Sequence, residues 1–154
     1  MSETIFQVTD LAQRRVEFVE AARGGGARLR DKDGTSLIML PESRLHLLEE
    51  LARWNGAHLR LEELVARGSA PSITDLGDLA WLRVFHDEDL KEFLRELHEA
   101  LVASHADGST AALDDCLRAW RVTARQLEDP LRRAVLLGDV ADQDLVEAGR
   151  PGGE

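Results

Sequence analysis

His98, Glu99 and His105 are the residues whose types come nearest to a metal-dependent hydrolase helix. The histidines stand two helical turns apart, so both imidazoles can share a face. A zinc-hydrolase helix instead places its histidines four apart with the glutamate between them, and that spacing is absent. His98 and His105 therefore read as edge residues of a helical face. Glu62-Glu63 and Asp114-Asp115 are adjacent instead of facing pairs, which suits solvated carboxylates better than general acid–base work. Gly24-Gly25-Gly26 follows a helical pattern instead of preceding one, so it reads as a helix C-cap and not as a phosphate cradle. No catalytic residue, metal or cofactor is expected, and the chain is read as a non-enzyme.

The other chemistry within reach is charge. The 154 residues carry a net charge of −10, which argues against a general nucleic-acid binder. Residues 1–44 hold seven Lys/Arg and seven Asp/Glu, so the whole acidic surplus falls later in the chain. That asymmetry suggests a front end that tolerates polyanions and a back end that attracts a basic partner. Arg14, Arg15, Arg28, Arg30 and Lys32 offer at most about five phosphate contacts per protomer, enough in a dimer for salt-sensitive binding to DNA. Arg118, Arg121 and Arg125 form a second basic stripe, expected to pair with Glu92, Glu96 and Glu99 of the preceding helix.

These residues must be positioned by secondary structure, and the sequence punctuates it clearly. Ile5 to Val8 suits a strand, and the Thr9 hydroxyl stands where a helix N-cap belongs. From Asp10 to Arg23 the apolar residues Leu11, Phe18, Val19 and Ala22 share a helical face, with the aliphatic stem of Arg15 filling the gap. Ala27 to Asp31 alternates, placing Leu29 on one sheet face and Arg28 and Arg30 on the other. Asp33-Gly34 is read as the hairpin turn. Leu37, Ile38, Met39 and Leu40 leave no solvent face for their strand. Pro41 ends it, and a helix follows with Leu45, Leu48, Leu51 and Ala52 in register.

Asn55-Gly56 marks a kink or a helix end, Leu59 to Val65 continues the helical pattern, and Gly68 to Ser72 reads as a linker. Helices are predicted over 75–85, over 87–106 with Leu90, Phe93, Leu94, Leu97 and Leu101 inward, and after a Ser109 or Thr110 cap with Leu113, Cys116, Leu117, Trp120, Ala124 and Leu127 inward. A last short helix is expected from Asp129-Pro130 to Leu137, followed by an acidic, flexible tail. The organisation is thus a front module over 1–55, a helix extension and linker over 56–71, a helical region over 72–137 and a tail over 138–154. The fold class is α+β, a small β-α-β-β-α module followed by a mainly α-helical region. The front module buries too little to stand comfortably alone. Because Leu37, Ile38, Met39 and Leu40 want cover on both faces, a homodimer built through them is expected. The start, MSETIFQVTD, has no basic leader or long apolar run, and cytoplasmic location is expected.

Taken together, VTDLAQRRVEFVEAARGGGARLRDKDGTSLIMLP resembles the amino-terminal domain of the Phd/YefM family of type II antitoxins. The resemblance covers roughly residues 4–53 and rests on element order, the Thr9-Asp10 helix entry, the glycine loop, the charged hairpin turn and the closing Leu37-Ile-Met-Leu-Pro41. It implies a dimeric antitoxin whose front domain binds operator DNA and whose later segment wraps a toxin encoded beside it. DNA would then meet the first turns of the Asp10 helix and the hairpin, giving Thr9, Arg14, Arg15, Arg28, Arg30 and Lys32 as the DNA-binding set. This chain departs from the family pattern at Ala12, where many members carry arginine, and at Asp31 and Asp33, which bracket Lys32. From Leu90 through Pro130 the chain is similar to a short helical segment of uncharacterised function associated with actinobacterial antitoxin-like proteins. Phe93, Glu96, Leu97, Ala100, Leu101, Leu117, Trp120-Arg121 and Asp129-Pro130 carry that likeness.

The expected function is neutralisation of a small basic ribonuclease-type toxin by direct binding, with repression of the chain's own operon as a second role. Trp81, Leu82, Phe85, Phe93 and Trp120 are the expected partner contacts. The alternative from another class is a stand-alone DNA-binding transcriptional regulator with a helical partner-binding half, which would bind DNA without any partner gene.

Overall fold

The computed structural model describes residues 4–130; the expected helix to Leu137 and the acidic tail over 138–154 lie outside the described residues. The fold is mixed α+β. Strand β1 (Ile5–Gln7) leads through the short helices α1 (Asp10–Gln13) and α2 (Arg15–Arg23) to the hairpin β2 (Ala27–Arg30) and β3 (Ser36–Met39). The long helix α3 (Glu42–Ala66) follows, then α4 (Ile73–Leu76), a 3-10 helix (Gly77–Val84), α5 (Asp87–Asp107) and α6 (Ala111–Glu128). The sheet has the order β1-β2-β3, with β1 parallel and β3 antiparallel to the central β2.

Two apolar clusters hold these elements. The smaller comprises Phe6, Phe18, Ala22 and Ala27, with Leu11, Ala21 and Leu29 packed against it. Phe6 and Phe18 meet edge to face with ring centres 5.2 Å apart. The larger runs from Leu47 of α3 through the 3-10 helix to Ala124 of α6, with Leu61, Leu82, Phe93, Leu97 and Leu113 at its centre. The inward stripes of α5 and α6 are those the 3.6-residue period predicts: Leu90, Phe93, Leu94, Leu97 and Leu101 are buried, as are Leu113, Leu117 and Ala124.

Several local expectations need correction. Thr9 does not cap its helix: its own backbone is already helical and its hydroxyl makes no capping bond, while the Asp10 carboxylate takes the Gln7 N–H at 2.7 Å. The helix expected over 10–23 breaks at Arg14, whose backbone leaves the helical region at φ −123° and ψ 33°. Arg14, not Arg15, covers the core there, its guanidinium 5.2 Å from the Phe6 ring centre. The glycine run does close α2, the Gly25 and Gly26 N–H groups reaching back to the Ala22 and Ala21 carbonyls at 3.3 Å each.

The hairpin loop is longer than an Asp33-Gly34 pair. The Gly34 N–H returns to the Asp31 carbonyl at 3.0 Å and the Asp31 N–H to the Thr35 carbonyl at 2.8 Å, a three-residue loop with only Gly34 at positive φ, +88°. Asp33 serves this turn through its side chain, accepting the Thr35 N–H at 2.8 Å. Asp31 does likewise, accepting the Lys32 N–H at 2.6 Å.

Helix α3 runs unbroken through Asn55-Gly56, so the expected division between 55 and 56 falls inside one helix. The Asn55 side chain bonds back to the Leu51 carbonyl at 2.8 Å instead of stopping the helix. Its buried face is Leu47, Leu51, Trp54, Ala57 and Leu61; Leu45 and Leu48, expected inside, are about half exposed. The error is one of phase: the Leu45–Leu48–Ala52 stripe and the Leu47–Leu51–Trp54 stripe lie side by side on one helix, with Leu51 common to the expected and observed faces.

Beyond Gly68, Ser72 caps α4 through a reciprocal pair, its hydroxyl accepting the Asp75 N–H at 3.1 Å and its N–H donating to the Asp75 carboxylate at 3.0 Å. The helix expected over 75–85 is mostly 3-10 from Gly77 onward. At the α5–α6 corner Thr110 makes no side-chain cap to the α6 backbone. Two serines do that work: Ser109, one of the two expected caps, accepts the Ala111 N–H at 3.3 Å, and Ser104, fully buried in α5, accepts the Leu113 N–H at 3.1 Å.

Candidate functional site

The expected DNA-binding residues all belong to the sheet unit, but they do not form one surface. Registration pairs Phe6 with Leu29 and Leu37, and pairs Ile5 with Arg28 and Ile38. Registered partners share a face, so one side of the sheet carries Phe6, Ala27 and Leu29 against α2 and the other carries Arg28 and Arg30 beside Ile5 and Ile38. Arg28 and Arg30 thus stand on the uncovered sheet face, and Lys32 in the hairpin loop at its end. Arg15 starts α2, also exposed, on the opposite side of β2 from that face.

Arg14 is already occupied. Its guanidinium pairs with Glu17 at 2.6 Å, an interaction that raises the arginine's pKa and lowers the glutamate's through the shared hydrogen bond and charge. The Asp33 carboxyl is held below its ordinary range chiefly by the Thr35 N–H, so it keeps a negative charge beside Lys32. Thr9 is exposed at the entry to α1, beside the half-buried Asp10.

Strand β3 is the other feature of this unit. Leu37, Ile38 and Met39 are 49, 58 and 46% exposed, and Leu40 is half-buried. Helix α2 packs on β2, and the far edge of the sheet is only partly covered, its side chains keeping about half their surface exposed. Close by in the chain, Leu45 and Leu48 at the start of α3 are also exposed. An edge strand with this composition and open backbone groups is a ready surface for another chain.

In the helical half the expected partner contacts turn out to be core. Leu82 and Phe93 are fully buried and Phe85 nearly so; Trp81 and Trp120 pack against them. Phe93 meets Trp81 and Trp120 edge to face at 5.5 and 5.4 Å, and Phe85 meets Trp120 at 5.1 Å. The Trp120 N–H donates to Glu96 at 2.6 Å, whereas the buried Trp81 N–H has no partner among the described residues. Large aromatics at helical spacing suit an exposed anchor and a core hub equally, and here they are the hub joining α5, α6 and the 3-10 helix. A partner could reach Phe93 only by opening it.

The basic stripe of α6 also behaves differently from expectation. Glu92 and Glu99 pair with Arg95 of their own helix, and Glu96 takes the Trp120 N–H. Arg118 pairs with Asp115 at 2.5 Å, and Arg121 lies over the rings of Trp54 and Trp81 at 5.9 and 5.6 Å. Together with Arg53 and Arg125 these arginines line a half-open groove of about 280 Å³ between α3 and α6. The sequence concealed this groove because Arg53 lies far before Arg118 in the chain and joins it only when α3 packs into the bundle.

The histidines do not assemble a reactive centre. His98 approaches His58 at 5.7 Å between ring centres, and the His58 Nε2 lies 3.1 Å from the Leu94 carbonyl oxygen. Among the described residues, no group of three or more His, Cys, Asp or Glu is placed to hold a metal ion. No described helix is long and apolar enough to cross a membrane.

Residues 79–153 match the model of a family of unknown function, DUF6247. The match begins within the 3-10 helix and takes in all of α5 and α6. It leaves the sheet unit and α3 outside. No curated protein and no solved structure matches the chain.

Proposed function

We propose that the chain is a non-enzymatic antitoxin of Phd/YefM type, dimeric through its sheet unit and neutralising a small basic toxin through its acidic helical half. The observation that carries this reading is the half-exposed apolar edge strand. Leu37, Ile38 and Met39 line an edge strand and keep about half their surface exposed, in a unit whose own core is only four buried residues. A unit of that size gains most from a second copy laid against the edge, burying β3 and the Leu45–Leu48 stripe of α3. The succession of strand, helical segment, hairpin and helix over residues 5–53 supports the family assignment.

In this reading the toxin meets outer helix faces and not the aromatic hub. The acidic surplus after residue 44 complements a surface that binds RNA, and occlusion of that surface is the mechanism. Operator binding rests on fewer charges than the sequence offered. Arg14 is engaged by Glu17, which leaves Arg15, Arg30 and Lys32 as the cations to test first. Replacing one phosphate-binding cation by alanine reduces the salt slope by about 0.9.

Co-expression with the neighbouring open reading frame is the direct experiment. Rescue from its toxicity with co-purification is the expected result; neither rescue nor co-purification overturns the reading. Sedimentation at micromolar concentration tests the assembly, with a dimer expected for the native chain and a folded monomer for Ile38→Asp. A native monomer would overturn the dimer, and strong operator binding by a chain that rescues nothing would favour a stand-alone regulator.

A further inference from the structure

We propose that the groove between α3 and α6 binds a small phosphomonoester-type dianion. The inference is independent of the antitoxin reading and starts from an imbalance. The helical half is acidic, yet this groove brings together four guanidinium groups, of which Arg118 is paired with Asp115 and Arg53 stands near Glu50, leaving Arg121 and Arg125 as the surplus beside the lining carboxylates Glu50 and Asp114. Both carboxylates are already engaged: Glu50 accepts the Trp54 N–H at 3.0 Å, and Asp114 accepts the Thr110 hydroxyl at 2.8 Å.

Three arginines elsewhere in this half are satisfied by carboxylates. Arg67 pairs with Glu63 at 2.8 Å, Arg83 with Glu128 at 2.5 Å, and Arg95 with Glu92 and Glu99. Arg121 and Arg125 have no carboxylate partner among the described residues. The Arg121 guanidinium lies instead 5.9 and 5.6 Å from the ring centres of Trp54 and Trp81, a cation–π placement that commits none of its N–H donors to a carboxylate. Arg125 follows one turn later on α6, and Arg53 approaches from α3, stacked 5.5 Å from the Trp54 ring centre and 3.8 Å from Glu50, too far for a hydrogen bond.

Donors converging from two helices suit a tetrahedral anion with three terminal oxygens better than a planar carboxylate, which one forked guanidinium satisfies. The groove volume of about 280 Å³ lies at the lower end for ligand pockets, room for a phosphorylated metabolite of modest size. The ligand is therefore a compact molecule bearing a phosphate monoester, gripped by Arg121 and Arg125 with Arg53 approaching from α3.

The test uses the full chain, inorganic phosphate as probe and constant ionic strength, and follows the indole resonance of Trp54 by NMR. A saturable shift is expected. Arg121→Ala and Arg125→Ala should each raise the midpoint at least tenfold, and Arg95→Ala, whose guanidinium is taken by carboxylates, should leave it unchanged. Arg125 stacks on no described ring, so weakened binding in that variant reads the site without disturbing the core. Dimethyl phosphate, a monoanionic diester, should bind at least tenfold more weakly than phosphate. A shift that never saturates, a midpoint unmoved by Arg125→Ala, or equal binding of the diester overturns the proposal.

Discussion

Seventeen buried residues join α3, α4, the 3-10 helix, α5 and α6 into one core, while the sheet unit closes on four. The helical half buries Leu61, Leu82, Phe93, Leu97 and Leu113 essentially completely, although Leu45, Leu48, Leu59, Ile73, Val102 and Val122 stay exposed on its outer faces. The sheet unit leaves Ile5, Leu37, Ile38 and Met39 about half exposed. The two parts also treat charge differently. In the helical half Arg67, Arg83, Arg95 and Arg118 are hydrogen-bonded to carboxylates, whereas among the described residues Arg15, Arg30 and Lys32 of the sheet unit stand without them. One part closes a large core within the chain, and the other, on a core of four residues, leaves an apolar edge that suits a second molecule.

The sharpest test of this contrast is to damage each core separately. Phe93→Ala removes the ring shared by Trp81 and Trp120 and should cost about 3–5 kcal/mol, the range for buried Phe-to-Ala changes. Urea unfolding followed by tryptophan fluorescence reads it directly, because Trp54, Trp81 and Trp120 all belong to this half. A cost below about 1 kcal/mol would mean that the hub is not the centre of the core.

Phe18→Ala, in the smaller core, should cost about 3 kcal/mol of the sheet unit's own stability. Amide exchange in β1 and β2 should accelerate while the tryptophan transition stays in place. An equal fall in both signals would break the comparison, since it would make the two clusters one cooperative unit.

The helical half was the more legible part of the sequence, for a physical reason. In α5 and α6 the period of apolar residues is unambiguous, so Leu90, Phe93, Leu94, Leu97, Leu101, Leu113 and Leu117 can be assigned to the core from spacing alone. In α3, Leu45, Leu47, Leu48 and Leu51 offer two overlapping stripes, and only the packing partner selects Leu47 and Leu51. The strands are equally visible, from alternation in Ala27–Arg30 and from the apolar run after Ser36. Spacing cannot show whether an aromatic faces a partner or a neighbouring helix, and Trp81, Phe85 and Trp120 fall to that ambiguity. Nor can it bring Arg53 beside Arg121, because that meeting exists only in three dimensions.

A smaller effect distinguishes how the two parts manage helix ends. Both parts close a helix at glycine, α2 at its glycine run and α5 at Gly108, but the α5–α6 corner adds the buried Ser104 hydroxyl holding the Leu113 N–H. Ser104→Ala strands a buried donor and should cost about 1–3 kcal/mol. Thermal unfolding by tryptophan fluorescence measures it, and Ser104→Thr, which keeps the hydroxyl but adds a methyl, separates the effect of bonding from that of space. A Ser104→Ala variant as stable as the native chain would show that the corner is capped some other way.

The last prediction concerns reactivity more than free energy. Cys116 lies half-buried on α6, and burial, with the Glu96 carboxylate adding to it, pushes its thiol up to about 11. A free cysteine titrates near 8.5, so at pH 8 the native thiol should react with a thiol-specific disulfide reagent roughly a hundredfold more slowly than the urea-unfolded chain. The sign follows from the raised pKa: the fold favours the neutral thiol, so its contribution to stability is intact below about pH 8.5 and is lost as the pH rises toward 11. Cys116→Ala should flatten that alkaline loss while leaving behaviour at neutral pH alone. Fast labelling of the native chain at pH 8 would instead mean that α6 opens readily from α5, and the division between a closed helical half and an open sheet unit would fail at its firmest point.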